Sequence, residues 1–242
     1  MRIFADYHTH TTYSDGRGKL VENIAAAAAK GLEEIGIADH GPRNIGTGVH
    51  GEQTYLQIRN EAAELAQQFP QITVKVGAEA DITGIDGGID ISPPIVQELD
   101  YLIIGLHPYV LPVSLTSGIF VLENLLARWS KSIEAKVIND NTKALVEAMD
   151  RHRPMIISHP NLKMHVEIDE VAKACAKYEA AYEINTGHMY QQVEEIRQVA
   201  SWGPKFVISS DAHFPATVGQ LEEGLGLATG AGLDAEQIIN VH

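Results

Sequence analysis

The sequence predicts a single-domain α/β protein in which short strands alternate with helices to form an irregular (β/α) barrel. Along the 242 residues, seven short apolar runs alternate with polar loops and six amphipathic helical stretches, an order typical of parallel strands covered by helices. Several strand runs contain few polar residues, as expected of strands buried on both faces. Neither a Pro/Ser-rich linker nor a charge block divides the chain, so we expect one domain over residues 1–242.

The individual elements are predicted from the period of their apolar residues and from the turns that bound them. The strands are expected at residues 3–6, 35–39, 72–78, 101–106, 155–158, 181–185 and 206–209. The helices are expected at residues 20–30, 55–69, 119–150, 168–177, 191–202 and 218–229. The first helix contains an alanine-rich run, which is a strong helix former.

The main alternative to a barrel is an open, doubly wound sheet. Such a sheet would place a glycine-rich phosphate loop after its first strand. At that point the sequence has "DYHTHTTYSDG" instead. The seven predicted strands also approach the eight of a regular barrel, so the barrel is favoured.

Charge and composition exclude several classes of function. The formal net charge of −14 opposes a broad nucleic-acid surface or binding to an anionic membrane, but a local metal site would still allow a small phosphorylated molecule to bind. The N-terminal "MRIFADYH" does not have the pattern of a signal peptide, and the apolar runs are too short to span a bilayer. The single cysteine, Cys175, fits a reducing compartment, so we expect a cytoplasmic protein.

Six of the eleven histidines follow predicted strands, each with a carboxylate in or near its motif. The strand-end motifs are, in order, "DYHTHTTYSDG", "ADHGP", "VGAEADI", "IGLHP", "ISHP", "YEIN" and "SSDAH". Because the carboxyl ends of barrel strands meet at one rim, these side chains should converge. In an extended H-x-H segment alternate side chains point the same way, so His8 and His10 should face one spot, to which Asp15 returns after the turn.

Converging imidazoles and carboxylates predict bound cations. A lone histidine at a strand end is usually a hydrogen-bonded loop residue, but so many buried polar groups and like charges in one place need compensation. Nitrogen and oxygen ligands without cysteine suit Zn²⁺, Mn²⁺ or Fe and differ from those of structural zinc sites.

Taken in order, these motifs resemble the PHP (polymerase and histidinol phosphatase) superfamily, and look most like its compact stand-alone YcdX-type phosphoesterases. The resemblance runs from residue 6 to about residue 241. It implies a distorted (β/α)7 barrel that holds three divalent cations in a cleft, with Zn²⁺ favoured over Mn²⁺ or Fe. The family pattern often continues into another C-terminal helix after a segment like "IINV", whereas this sequence stops at His242.

The resemblance also implies three sets of metal ligands, with one carboxylate shared between the first two sets. The sets are His8, His10, Glu79 and Asp211; Glu79, His107 and His159; and Asp15, His40 and His213. A hydroxide bridging two such metals would attack phosphorus. The expected activity is therefore hydrolysis of a small phosphoester, most simply a phosphomonoester.

Other side chains near the motifs have candidate supporting roles. Arg17 and Arg43 follow motif residues and would suit bidentate binding of phosphate, and His188 would suit a general acid for the leaving alkoxide; each is also compatible with an ordinary solvated loop residue. Asp6 and Asp39 directly neighbour ligand motifs, so we expect them to orient a ligand imidazole. Similar roles are expected for two residues of the sixth motif, Glu183 and Asn185.

Three other functions stay open at this point. Histidinol phosphate is the alternative substrate. Amidohydrolase-type C–N bond hydrolysis also uses H-x-H on a first strand, but the sequence offers no candidate for a carbamylated lysine at the end of a middle strand. A non-catalytic, metal-stabilised interaction module would be expected to have lost ligands and to carry further domains.

Overall fold

The computed structural model describes the backbone of residues 1–242 and every side chain except that of residue 128. Its strands form two parallel sheets, one of three strands in the order β1-β2-β3 and one of five in the order β4-β5-β6-β7-β8. The strands are β1 (Ala5–Asp6), β2 (Glu34–Ile37), β3 (Thr73–Val76), β4 (Glu79–Asp81), β5 (Ile103–Gly105), β6 (Ile156–Ile157), β7 (Ala181–Asn185) and β8 (Phe206–Ser209).

Pairing just beyond the strand ends joins the two sheets into one ring. Parallel bridges connect Thr9 with Ala212 and His40 with Glu79. Since β3 and β4 follow one another directly in the chain, they occupy one strand position of the ring. The result is a parallel barrel with seven strand positions, which confirms the predicted distorted (β/α)7 architecture.

The break between β3 and β4 was not predicted, because the apolar pattern runs through it without interruption. At the break, Gly77 lies against the ring of Tyr101, and a Cβ atom on residue 77 would be 2.6 Å from two ring atoms. The hydroxyl of Tyr101 donates a hydrogen bond of 2.6 Å to the carbonyl of Tyr7. The tyrosine thus ties β1 to the start of β5 across the interior, and only glycine leaves room for its ring.

The helices cover the outside of the barrel. They are α1 (Leu20–Ala29), α2 (Thr54–Ala66), α3 (Pro93–Val96), α4 (Leu115–Leu126), α5 (Lys131–His152), α6 (Ile168–Tyr178), α7 (Val193–Ala200) and α8 (Glu222–Ala231). The prediction of one helical stretch over residues 119–150 was wrong, because a 3-10 turn at Ala127–Trp129 and the extended Ser130 separate α4 from α5. The short α3 was missed; it begins with two prolines after Ser92, positions that favour a helix start.

Two apolar clusters stabilise the barrel. The larger one lies between the strands and the helices and includes Cys175, which is fully buried as expected of a structural thiol. The smaller one contains Ile103, Ala181 and Val207. Because alternate residues of a strand share a face, the next inward positions of β7, after Ala181, are the polar Glu183 and Asn185. The apolar interior therefore gives way to a polar one towards the carboxyl ends of the strands.

The two ends of the chain meet beside the barrel. The amides of Arg2 and His242 each donate a hydrogen bond of 2.9 Å to the carbonyl of the other residue. The amide of Ile239 donates to the carbonyl of Phe206 over 2.8 Å. Within the described part of the chain, no helix has the length and apolar character required to cross a membrane.

Candidate metal centre

The nine predicted ligand side chains meet at the carboxyl ends of the strands. Glu79 belongs to β4, and the others lie in the segments that follow β1, β2, β5, β6 and β8. The converging residues are His8, His10, Asp15, His40, Glu79, His107, His159, Asp211 and His213. The convergence expected from strand-end positions is therefore present in the fold.

The carboxylate of Glu79 occupies the middle of this cluster. The residue is fully buried, and five imidazole nitrogens surround its two oxygens. The distances to Oε2 are 2.8 Å from His40 Nδ1, 3.3 Å from His8 Nε2 and 3.8 Å from His10 Nε2, and those to Oε1 are 2.9 Å from His159 Nε2 and 3.6 Å from His107 Nε2. One acid is thus shared by imidazoles from four strand ends.

Several buried atoms of the cluster lack a directed hydrogen bond. Among the described side chains, both oxygens of Glu79 are in this state, as are His8 Nε2, His10 Nδ1 and Asp15 Oδ1. Each buried polar atom left unpaired costs about 1–3 kcal/mol. Cations that accept these lone pairs would remove the cost, so the donor set fits bound divalent metals.

Three groups of side chains bring their ligand atoms within 4.8 Å of one another. The groups are His10, Asp15, His40 and His213; His8, His10 and Asp211; and His40, Glu79 and His107. They overlap with the three sets that the resemblance implies, but His10 and His40 each belong to two groups. His159 belongs to none of the three groups, but its Nε2 lies 2.9 Å from Glu79 Oε1. The division of the nine ligands among individual ions stays a prediction.

Burial and neighbouring charges move the imidazole pKa values in opposite directions. Burial, reinforced by the adjacent imidazole of His40, lowers the pKa of His10 to about 3. Burial also lowers the pKa of His107 to about 3, although Glu79 opposes it. Burial alone would lower the pKa of His40, yet the charge of Glu79 raises it to about 9. Two imidazoles therefore present free lone pairs at neutral pH, while His40 must lose a proton before a cation can bind.

Glu183 fixes the orientation of His8. Its Oε1 atom lies 2.7 Å from His8 Nδ1, and its Oε2 atom accepts a 2.6 Å hydrogen bond from the amide of His159. Asn185 donates from Nδ2 to Glu183 and to Asp211, both over 3.0 Å. His8 therefore turns Nε2 towards Glu79, the supporting arrangement that was expected for this motif.

Asp6 and Asp39 do not orient imidazoles, and that prediction was wrong. The carboxylate of Asp39 accepts hydrogen bonds from the amide and hydroxyl of Thr11 at 2.7 and 2.8 Å. The carboxylate of Asp6 accepts from the amide of Ser210 at 3.1 Å and from the amide of Gly219 at 2.8 Å. Both acids hold the loops that carry ligands, because alternation turns their side chains away from the cluster.

Asp81 was not predicted to take part in the site. It is buried, contacts His107 Nδ1 through Oδ1 and accepts a 3.2 Å hydrogen bond from Asn44 Nδ2. Burial raises its pKa to about 8, with a further contribution from the charge of Glu79. The signal was present in the sequence: Asp81 stands two residues after Glu79, so on a strand both side chains share a face.

Comparison with known proteins places this arrangement in a family. The PHP domain matches residues 6–187. The chain belongs to the PHP domain family. A probable phosphatase of Clostridium acetobutylicum is 28% identical over 250 residues, which cover 99% of this chain and 91% of the relative. The probable phosphatase YcdX of Escherichia coli is 28% identical over 249 residues, which cover 98% of this chain and 89% of the relative.

A solved structure supports the same fold for this PHP domain. It is the histidinol phosphate phosphatase of Lactococcus lactis, crystallised with zinc, L-histidinol and phosphate. The TM-score is 0.60 at 18% identity, and the superposition covers 95% of this chain and 94% of the other. The resemblance identified from the strand-end motifs is therefore confirmed at the level of family and fold.

The candidate centre of the PHP domain lies in an open cleft of about 160 Å³. His188, one of the three predicted supporting residues, lines this cleft, and its Nε2 is 3.3 Å from Asp211 Oδ2. Arg17 and Arg43 are not among the lining residues. The guanidinium of Arg43 points to the carbonyl of Leu111 at 3.4 Å, and Arg17 is exposed. Their predicted contact with phosphate has no support in these positions.

Among the described side chains, Lys163 is the single Lys or Arg that lines the cleft, and sequence reasoning missed it. Lys163 is exposed and follows the candidate ligand His159 by four residues in the run "SHPNLK". The amide of Leu162 donates to the carbonyl of His159 over 3.2 Å, so a turn brings Lys163 back to the cleft. The signal that could have found it is a basic residue shortly after a ligand motif, on a rim where loops carry function.

Proposed function

We propose that this PHP domain hydrolyses a small phosphomonoester with the aid of bound divalent cations. One observation carries the proposal: a fully buried carboxylate, Glu79, lies among five imidazole nitrogens with neither oxygen in a directed hydrogen bond. Three cations fit the nine converging ligands, with Zn²⁺ favoured over Mn²⁺ or Fe. Zinc is also the metal of the Lactococcus lactis histidinol phosphate phosphatase.

Bound cations supply Lewis acidity, which activates water at neutral pH and offsets the charge on phosphoryl oxygens. The chain's own groups do the rest. Glu183 holds the ring of His8 in place, and Asn185 links Glu183 to Asp211. At the open side of the cleft, the ammonium group of Lys163 attracts the phosphate dianion into a chain of net charge −14. We assign to His188, which lines the cleft, the donation of a proton to the leaving oxygen.

The related proteins support phosphate esters as substrates. Two relatives that match nearly the whole chain are called probable phosphatases. Histidinol phosphate stays the alternative substrate, since the Lactococcus lactis enzyme was crystallised with L-histidinol and phosphate. Hydrolysis of a C–N bond is less well supported, because the middle strands β4, β5 and β6 contain no lysine that could bridge two metals. A purely structural role is less well supported too, since all nine positions keep ligand side chains.

We also propose that residues 1–242 act as one domain in the cytoplasm. The segment after residue 187 supplies β8, which pairs with β7 and, through Ala212, with the first strand region. It therefore completes the same barrel. The single thiol, Cys175, is free and buried, which suits a reducing compartment.

The test is elemental analysis of protein purified without chelator, combined with assays of phosphate release from p-nitrophenyl phosphate. We expect close to three metal ions per chain, loss of phosphate release after chelation, and recovery when Zn²⁺ or Mn²⁺ is added back. Matched p-nitroanilide substrates separate phosphate ester from amide hydrolysis. Metal-free protein that keeps full phosphatase activity would overturn the proposal.

A further inference from the structure

Two loops at the rim of the cleft are joined by a short antiparallel ladder. Asn44 and Val110 form an antiparallel bridge. On either side of it, the amide of Ile45 donates to the carbonyl of Tyr109, and the amide of Leu111 donates to the carbonyl of Arg43, both over 2.9 Å. The loops that follow β2 and β5 therefore form one connected unit beside the metal ligands His40 and His107.

This ladder presents two apolar side chains to the cleft. Ile45 and Tyr109 both line it, and they are 56% and 60% exposed. A single exposed apolar side chain needs no explanation. Two that are held side by side on the wall of a polar cleft, where a ligand would cover them, form a surface suited to an apolar group.

The polar side chains of the same wall are already engaged. Thr47 donates from its hydroxyl to Asn44 Oδ1 over 2.7 Å, and Asn44 Nδ2 donates to Asp81 over 3.2 Å. These contacts therefore compete with the hydroxyls of a sugar or polyol for the same donors. The two acids among the lining residues, Asp15 and Asp211, belong to the candidate metal centre. No further lining carboxylate is present among the described residues to pair with a cationic substrate.

We propose that Ile45 and Tyr109 form the subsite for the leaving group, so that the domain prefers phosphomonoesters of uncharged alcohols with an apolar or aromatic group. This inference rests on the proposed phosphatase function and narrows its substrate class. The phosphate would lie at the metal ligands, and the apolar part of the alcohol would cover the two side chains. Lys163 on the same cleft disfavours a cationic alcohol such as histidinol.

The test compares three phosphate esters of primary alcohols, so that the acidity of the leaving group stays similar. Benzyl phosphate carries an apolar ring, glycerol 3-phosphate a polar chain and histidinol phosphate a positive charge. We expect kcat/KM for benzyl phosphate to exceed the other two by about tenfold, the lower end of what an apolar contact surface supplies. Equal values, or the highest value for histidinol phosphate, would overturn the subsite while leaving the phosphatase function intact.

Variants test whether the preference for benzyl phosphate arises from the ladder. Tyr109→Ala is expected to lower kcat/KM for benzyl phosphate about tenfold more than for glycerol 3-phosphate, mainly through KM. Leu122→Ala is the matched control, because Leu122 is 54% exposed, lies on α4 and does not line the cleft. The control should keep the ratio of the wild-type protein. A ratio that falls equally in both variants, or in neither, would contradict the assignment.

Binding measurements keep the subsite testable if none of the esters is hydrolysed. Benzylphosphonate and methylphosphonate cannot be cleaved, and their dissociation constants with the metal-loaded protein are measured by calorimetry. Tighter binding of benzylphosphonate by about tenfold, lost in Tyr109→Ala, supports the subsite. Equal affinities overturn it. Absence of hydrolysis together with selective binding would refute the proposed function alone.

Discussion

Buried carboxylates occur in two settings in this barrel, and they differ in how their oxygens are satisfied. Asp39, two residues beyond the end of β2, receives hydrogen bonds from the amide and hydroxyl of Thr11 and from the hydroxyl of Ser14. Glu79, at the start of β4, has imidazoles around it but no directed hydrogen bond to either oxygen. Both residues are fully buried.

The difference separates an acid that is held by hydrogen bonds from a candidate metal ligand. Burial of a charge is costly in both places, but at Asp39 neutral donors of a neighbouring loop compensate it. At Glu79 the neighbours are imidazoles. Burial lowers the pKa values of two of them, His10 and His107, to about 3, so their lone pairs need compensation as well. Buried polar groups in native proteins are almost always paired, so the Glu79 cluster fits bound cations.

The largest effect that tests this comparison is expected for Glu79→Gln. The variant keeps the shape of the side chain but removes the charge shared by the surrounding imidazoles. We expect phosphate release to fall by on the order of a thousandfold or more, at or above the loss caused by removing one electrostatic group from an active site. Metal content, measured by elemental analysis, should fall in parallel.

Asp39→Asn is the matched control for that experiment, since it makes the same acid-to-amide change at an equally buried position. The metal content per folded chain should remain near that of the wild-type protein. If both variants lose metal to the same extent, or if Glu79→Gln keeps its metal and activity, the distinction between the two acids is wrong.

A second test uses pH. In the metal-free protein, burial alone would lower the pKa of His40, but the charge of Glu79 raises it from the usual 6.5 to about 9. Burial also raises the pKa of Asp81, to about 8. The folded state therefore holds more protons than the unfolded state above pH 6.5, and stability must fall as pH rises to 9. The two groups together give an expected loss on the order of 5 kcal/mol in the free energy of unfolding.

The metal-loaded protein should show a different trend over the same range. Cations require deprotonated ligands, so their binding strengthens as pH rises and adds to the stability of the folded state. Urea unfolding at pH 6.5 and 9, with and without metal, measures the difference. The stability difference between the metal-loaded and the metal-free protein should widen as pH rises. A metal-free protein that becomes more stable over this range would contradict the electrostatic account of the cluster.

The smallest effect is expected for the stability of Asp39→Asn itself. The amide cannot accept from all three donors of the loop, and a buried donor left unpaired costs about 1–3 kcal/mol. For a chain of this size, the melting temperature should fall by roughly 2–4 °C per kcal/mol. Calorimetry measures the melting temperature of the variant and of the wild-type protein. An unchanged melting temperature would show that the hydrogen bonds from Thr11 and Ser14 contribute little.

Much of the candidate site could be predicted from the sequence, because its candidate ligands stand at strand ends. The bounds of Ala181–Asn185 and Phe206–Ser209 agree with the structure, and the histidines that follow the strands meet as expected. Position relative to a strand is a local property, and parallel strands bring their carboxyl ends to one rim. The polar residues after each strand therefore identified the cluster.

The remaining features depend on contacts between segments that are distant in the chain. The interruption of the strand at Gly77 depends on Tyr101, and the roles of Asp6 and Asp39 depend on loops that fold over them. The identity of the basic side chain at the cleft also depends on such contacts. Arg43 is directed to the carbonyl of Leu111, whereas a turn brings Lys163 to the rim.

The sequence by itself determined the barrel, the family and the residues that meet at its rim. The tertiary structure decided which buried acids are satisfied by hydrogen bonds, which charged side chains face the cleft and which apolar side chains form its wall. The physical reason is the range of the interactions. Strand periodicity acts over a few residues, whereas the ladder between Ile45 and Tyr109 joins segments whose closeness exists only in the folded chain.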